Sequence, residues 1–177
     1  MDNEQICTEV LKSAGIKKGQ IVLDFGCGRG TYTISAAKIV GGTGRVYALD
    51  ENSSRLEEVS NKCREQNLNN VETIKTNGEL YFDFKDCKFD AVLLYDIFWY
   101  FPAGDHKLIT LLNEIYRVSR DGALISVFPE HTDAGKLKNI IENNGFEFAH
   151  QFTGDVIHED YIVHSSILNF TREVKNE

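Results

Sequence analysis

Apolar residues recur along the chain at two spacings. Ile6, Val10, Leu11 and Ala14 lie three and four positions apart, one face of a helix, and Gly15 follows as a stop. The run "QIVLDF" (20–25) is short and almost wholly apolar, which suits a strand buried on both faces. "TYTISAAKIV" (31–40) returns to helical spacing and is closed by Gly41 and Gly42. "RVYALD" (45–50) reads as a second strand ending in an acid. "SSRLEEVSNKCREQN" (53–67) predicts a helix with Ser53 as its N-cap and Leu56, Val59 and Cys63 on one face. "VETIKT" (71–76) is a third, shorter strand, and "FDAVLLYD" (89–96) a fourth that again ends in an acid. Leu108, Leu111, Leu112, Ile115 and Val118 mark a helix over 105–119, followed by the strand "GALISVF" (122–128). "DAGKLKNIIENN" (133–144) is a helix stopped by Gly145. "FEFAHQF" (146–152) and "YIVHSSILNF" (161–170) close the chain as an antiparallel pair.

Strand and helix alternate five times before that pair. Alternation calls for a parallel sheet with helices on both faces, so the fold class is α/β and doubly wound. The two last strands make the sheet seven-stranded, mostly parallel, with an antiparallel strand in the closing pair. The 177 residues suit one domain, 1–177, with an N-terminal helical segment over 1–19 and a core over 20–170. Hydrophobic residues make up 42%, a globular composition, and neither repeats nor low-complexity stretches interrupt it.

Charge narrows the partners. The formal net charge is −8 and the Lys and Arg residues are scattered among acids, which speaks against nucleic acid. Cys7, Cys27, Cys63 and Cys87 show no CxxC spacing and no Cys/His cluster, so they read as free thiols in a reducing compartment, with no metal expected. The start "MDNEQICTEV" is acidic, and no apolar run nears the length of about 20 residues that a membrane span needs. A cytoplasmic protein without a membrane span is the expectation.

The densest chemical signal is "VLDFGCGRGTYT" (22–33), with Gly26, Gly28 and Gly30 in five residues at the exit of the first strand. In a doubly wound sheet that exit lies where ligands bind, and a glycine lets backbone approach the ligand with no side chain between. A dinucleotide loop reads G-x-G-x-x-G; here the position of its third glycine is Thr31. Asp24 before the turn would repel a pyrophosphate but suits a cation such as an α-amino group. Asp50, ending the second strand, suits a pair of ribose hydroxyls. The combination asks for a ribose and a cationic group without a pyrophosphate.

"LDFGCGRG", with Asp50 after it, resembles the class I S-adenosylmethionine-dependent methyltransferases. So do "KFDAVLLYD", "LNEIYRVSRDGALISV", "NNGFEF" and the closing pair, in order, over about 22–170. The resemblance implies a Rossmann-like sheet and S-adenosyl-L-methionine as cofactor. It implies that Asp24, Gly26, Gly28 and Gly30, with Cys27 between them as a small filler, line the methionine half. Asp50 would bind the ribose, and Glu51, Asn77 and Gly78 fall where the family contacts adenine. Tyr95 and Asp96 would flank the sulfonium and the acceptor. Glu51 departs from the family's usual apolar residue, Asn77 from a common Asp, and "SRDGA" from a Pro-Gly-Gly turn.

Methyl transfer from a sulfonium needs alignment of the acceptor and sometimes a base. Asp96, at the end of the fourth strand, and His131, in "FPEHTD" after the fifth, are the catalytic candidates. His106 is a weaker second to His131; His150, His158 and His164 read as surface groups on the closing pair and its loop. "IFWYF" (97–101) supplies core residues and one or two aromatics for an acceptor pocket, and Tyr32 could touch the cofactor. A small-molecule acceptor is expected first and a protein side chain second. The acceptor site is expected to be open, to be completed by a partner chain such as a second copy, or to be shaped by 97–106 and the loop 153–160 alone. Two rivals stand beside this reading: a cofactor-binding module without turnover, and a nicotinamide dehydrogenase, which the missing third glycine disfavours.

Overall fold

The alternation is realised in residues 2–174, which a computed structural model of the chain describes. Met1 and residues 175–177, which the expected single domain includes, lie outside them. The elements are α1 (Asn3–Ala14), β1 (Ile21–Phe25), α2 (Thr31–Val40), β2 (Arg45–Asp50), α3 (Ser53–Glu65), β3 (Val71–Lys75), β4 (Phe89–Tyr95), α4 (His106–Val118), β5 (Ser119–Phe128), α5 (Ala134–Glu142), β6 (Phe146–His158) and β7 (Tyr161–Arg172). The strands form one seven-stranded sheet in the order β3-β2-β1-β4-β5-β7-β6. β1 pairs in parallel with β2 and β4, β2 with β3, and β4 with β5. β7 runs antiparallel between β5 and β6 and is the one reversed strand.

Side chains alternate across a strand, and the sequence of β1 uses both faces. Leu23 and Phe25 point to a cluster built with Leu108, Leu111 and Ile115 of α4 and Leu137 and Ile141 of α5. Val22 points the other way, to Ile6, Val10 and Leu11 of α1 and Ala36 and Val40 of α2. Leu56, Val59 and Cys63 of α3 cover Ala48 of β2 and Cys27 on that same side. Helices thus lie on both faces, and the segment before β1 contributes to the core. The chain passes from β1 outward to β2 and β3, then returns to β4 on the other side of β1. That reversal opens a crevice at the carboxyl ends of β1 and β4, where ligands of such sheets bind.

Most element ends fall within two residues of the spacing, and three differences bear on the site or its frame. Asn52, not Ser53, caps α3: its side chain accepts from the N–H groups of Ser54 and Arg55. β5 begins at Ser119 rather than Gly122, because Ser119 pairs with Phe89 across an irregularity that Gly122, at φ 70°, helps to turn. The largest difference is in β6. The stretch 153–160, read as a loop, is strand through His158, paired residue by residue with β7 from Thr153↔Ser166 to His158↔Tyr161. Only Glu159 and Asp160 remain as the turn.

Candidate active site

The glycine turn leaves β1 and is fastened to β2. The N–H groups of Gly26 and Cys27 both donate to Leu49 O, at 2.8 and 2.9 Å. Asp50 extends the fastening: Oδ2 accepts from Gly28 N at 2.9 Å and Oδ1 from Asn52 N at 2.8 Å. The three glycines answer different needs. A Cβ on Gly26 would come within 2.7 Å of Ile97, and one on Gly30 within 2.8 Å of Val59 of α3. Both are close packing. At Gly28, φ is 55° and a Cβ would meet nothing within 4 Å, so this position faces open space. Gly30 leads into α2 with no side-chain cap, leaving its first N–H groups available.

Asp24 stands beneath the turn, 3% exposed, accepting from Thr33 Oγ1 at 2.5 Å. Burial, with the charge of Asp50 adding to it, pushes its pKa up to about 6. Burial and the same two carboxylates push the Cys27 thiol upward as well, so it stays protonated. Tyr95 is buried with its hydroxyl 2.7 Å from Ser126 Oγ. Tyr32 sits edge-on to Tyr95, and its hydroxyl donates to Ile157 O and accepts from Ile157 N.

Two cavities flank the turn. One, of about 320 Å³, has Asp24, Cys27, Gly28, Tyr95, Trp99 and His158 in its walls. The other, of about 520 Å³, has Asp50, Glu51, Thr76, Gly78 and Leu80. Gly26, Arg55, Asp96 and Tyr100 belong to both, so the cavities adjoin. Most residues singled out from the sequence therefore meet at one place. Gly30 is in neither wall, nor is His131, the expected base, which is exposed, and Asn77 is turned to its own loop, accepting from Glu79 N at 3.2 Å. "IFWYF" divides as a strand-end segment must: Ile97 and Phe98 are core, while Trp99 is 66% and Tyr100 71% exposed on the lip.

His158 is not the surface group that the sequence suggests. Its side chain is 19% exposed, with Nδ1 2.8 Å from Asp96 Oδ1. Its Nε2 lies 3.2 Å from Nε2 of His131, whose ring centre is 4.2 Å from that of Trp99, the two planes tilted by 34°. The extension of β6 carries it there; a loop reading of 153–160 gave no signal for it. Burial pushes the pKa of Asp96 up, and the hydrogen bond and charge of His158 oppose that. Asp96 and His131 both hold positive φ, 55° and 63°, as does Glu159 at 53°. Such backbone is uncommon outside glycine and gathers at functional sites. His150 and His164 are exposed, as the sequence suggests.

The family model described as a methyltransferase domain matches residues 22–122. The chain belongs to this family of methyltransferase domains. Among curated relatives, the probable cobalt-precorrin-6B C(15)-methyltransferase (decarboxylating) of Saccharolobus solfataricus is 28% identical over 72% of this chain and 61% of its own length. A demethylmenaquinone methyltransferase of Lactobacillus johnsonii is 33% identical over 66% of this chain and 46% of its own. The chain thus spans about half to three-fifths of the curated relatives it matches. A crystal structure of a SAM-dependent methyltransferase from Aquifex aeolicus superposes with a TM-score of 0.74 at 23% identity, over 98% of this chain and all of that one, and shares the fold.

The residues of this methyltransferase-family site suit S-adenosylmethionine. Gly28 leaves open the place where a side chain would obstruct a ligand. Buried Asp24 faces one cavity with a charge suited to an amine, and Asp50 and Glu51 face the adjoining one with acceptors for hydroxyls. Each Asp50 oxygen takes one backbone N–H, and a carboxylate has about four acceptor sites, so capacity for a ribose remains.

Proposed function

We propose that this methyltransferase-family chain transfers the methyl group of S-adenosylmethionine to a small-molecule acceptor. The observation that carries the reading is the open face of Gly28 in the smaller cavity, with Asp24 in the same wall and Asp50, bonded to Gly28 N, in the wall of the adjoining one. Asp24, Gly26, Cys27 and Gly28 would border the methionine half and Asp50 the ribose. Glu51 and Gly78, whose added Cβ would lie 3.4 Å from Glu51 Oε1, would border the adenine. Gly30 and Asn77 act indirectly, by packing the turn on α3 and by holding the loop after β3.

When bound, the cofactor supplies a methyl carbon already activated by the positive sulfur. The chain's own task is to hold the acceptor in line with it, which is worth several kcal/mol of pre-organisation. Tyr95, Asp96 and Trp99 stand on the acceptor side, with His131 at its edge. The two relatives are named for precorrin and menaquinone precursors, both small molecules, and the net charge of −8 speaks against a nucleic acid. A reducing compartment, the cytoplasm, agrees with four cysteines that are all free. No helix among the described residues is long and apolar enough to cross a membrane.

The test is to incubate the protein with methyl-labelled S-adenosylmethionine and a small-molecule extract, then with a protein extract. Label in small molecules is expected. Label in protein alone would move the acceptor to a side chain. No label, in a sample that binds S-adenosylhomocysteine by calorimetry, would leave a binding module.

A further inference from the structure

We infer that Asp96, His158 and His131 act as one hydrogen-bonded chain whose free end, Nδ1 of His131, is a base on the exposed side of Trp99 and His158, which wall the smaller cavity, so that the acceptor is a molecule whose nucleophilic atom arrives carrying a proton. The inference rests on the methyl-transfer reading above and names the acceptor class within it. An ionised carboxylate only accepts hydrogen bonds, so the 2.8 Å contact with Asp96 places a proton on Nδ1 of His158. With the imidazoles neutral, Nε2 of His158 is then a lone pair, and the 3.2 Å contact makes Nε2 of His131 the donor. That leaves Nδ1 of His131 as a lone pair with no hydrogen-bond partner among the described residues. One carboxylate thereby sets two tautomers in series. Two of the three members, Asp96 and His131, sit on strained backbone, as does Glu159 beside the third.

The step balances without another reactant. The acceptor atom bonds to the methyl carbon, and the carbon–sulfur pair goes to sulfur. The X–H pair stays on the acceptor, and its proton goes to Nδ1 of His131. His131 is then the catalytic residue, and Asp96 and His158 are positioning residues. Trp99, in contact with His131 and exposed beside Tyr100, offers a flat apolar rest, which suits a ring bearing a hydroxyl. The same two nitrogens could converge on a metal ion, but no group of three or more His, Cys, Asp or Glu among the described residues is placed to hold one.

Trp99 is the single tryptophan of the chain, so its emission reports on this place alone. The probe is 4-nitrophenol, a hydroxyl-bearing ring whose ionisation is visible by colour, added to protein saturated with S-adenosylhomocysteine. It should quench Trp99 and ionise when bound about one pH unit below the free probe, a tenfold shift. In His158→Gln and Asp96→Asn the quenching should persist and the shift should vanish. Should either variant fail to fold, imidazole ¹⁵N shifts of the unaltered protein decide, since they must show an unprotonated Nδ1 on His131. Equal ionisation in all three proteins, absence of probe binding, or the opposite tautomer overturns the chain. So does Zn²⁺ alone binding at micromolar strength and losing it in His158→Gln. Calorimetry with S-adenosylhomocysteine on the same sample keeps the two readings apart: cofactor binding without a probe shift removes only this inference, and no cofactor binding removes the function.

Discussion

Asp24 carries two conflicting demands. Its carboxyl is 3% exposed, and burial raises its pKa from an ordinary 3.8 to about 6. The folded chain therefore holds this proton to a higher pH than the unfolded chain. Stability from Asp24 grows as pH falls from about 6 towards 4 and is lost above 6. Two units correspond to about 3 kcal/mol. Asp24→Asn, which can still accept from Thr33, should raise stability by up to about that amount near pH 8 and make no difference near pH 4. Denaturant melts at the two pH values check it. A charge kept under such a load needs a partner, and the cofactor's amine is the one proposed. The affinity for S-adenosylhomocysteine should therefore weaken as pH falls through about 6 in the unaltered protein, and be weak and flat in Asp24→Asn. Equal affinity on both sides of pH 6, by calorimetry, would mean that no cation sits on Asp24.

At the scale of elements, the glycine turn separates packing from binding. Gly30→Ala drives a Cβ against Val59 of α3, on top of the strain at φ 79°, whereas Gly28→Ala adds strain alone. Left-handed backbone costs an L-residue about 1–2 kcal/mol. Gly28→Ala should thus lose less thermal stability than Gly30→Ala and more of the affinity for S-adenosylhomocysteine, with Gly28→Val losing nearly all of it. Melts without ligand and titrations on the folded proteins check the order; the reverse order would make Gly28 a mere connection. The turn, the alternation of strand and helix around it and the acids that close the second and fourth strand runs were legible because each is encoded locally, by periodicity or by glycine spacing. The end of β6 was not. "TGDVIH" has only Val156 and Ile157 buried, and it becomes strand because β7 lies beside it. The partnership of His158 with Asp96 spans 62 positions, and nothing near either residue announces it. The cap on α3 moved by one residue because Asn52 competes with Ser53 for the same N–H groups, and Asn is at least as good a cap.

For the whole molecule, binding at the meeting point of β1, β2 and β4 must appear as stability. The turn is fastened to Leu49 and Asp50 of β2, packed against Ile97 after β4 and against Val59 of α3. A ligand seated on it touches segments that are separate in the unfolded chain, so it binds only the folded state. Such a ligand at a hundred times its dissociation constant adds about 2.7 kcal/mol. In a domain of this size each kcal/mol moves the melting midpoint by about 2–4 °C. S-adenosylhomocysteine at that excess should therefore raise the midpoint by about 5–11 °C. NAD at the same concentration should leave it nearly unmoved, since Thr31 stands where a dinucleotide loop has glycine and Asp24 opposes a pyrophosphate. Asp50→Ala removes the ligand's ribose partner and the ties to Gly28 and Asn52 together. It should lower the midpoint without ligand, at a cost of about 1–3 kcal/mol for the two unpaired N–H groups, and also shrink the ligand-induced shift. A lowered midpoint with an undiminished shift would show that Asp50 only fastens the turn. An equal shift with NAD would place a dinucleotide, not S-adenosylmethionine, on the carboxyl edge of this sheet.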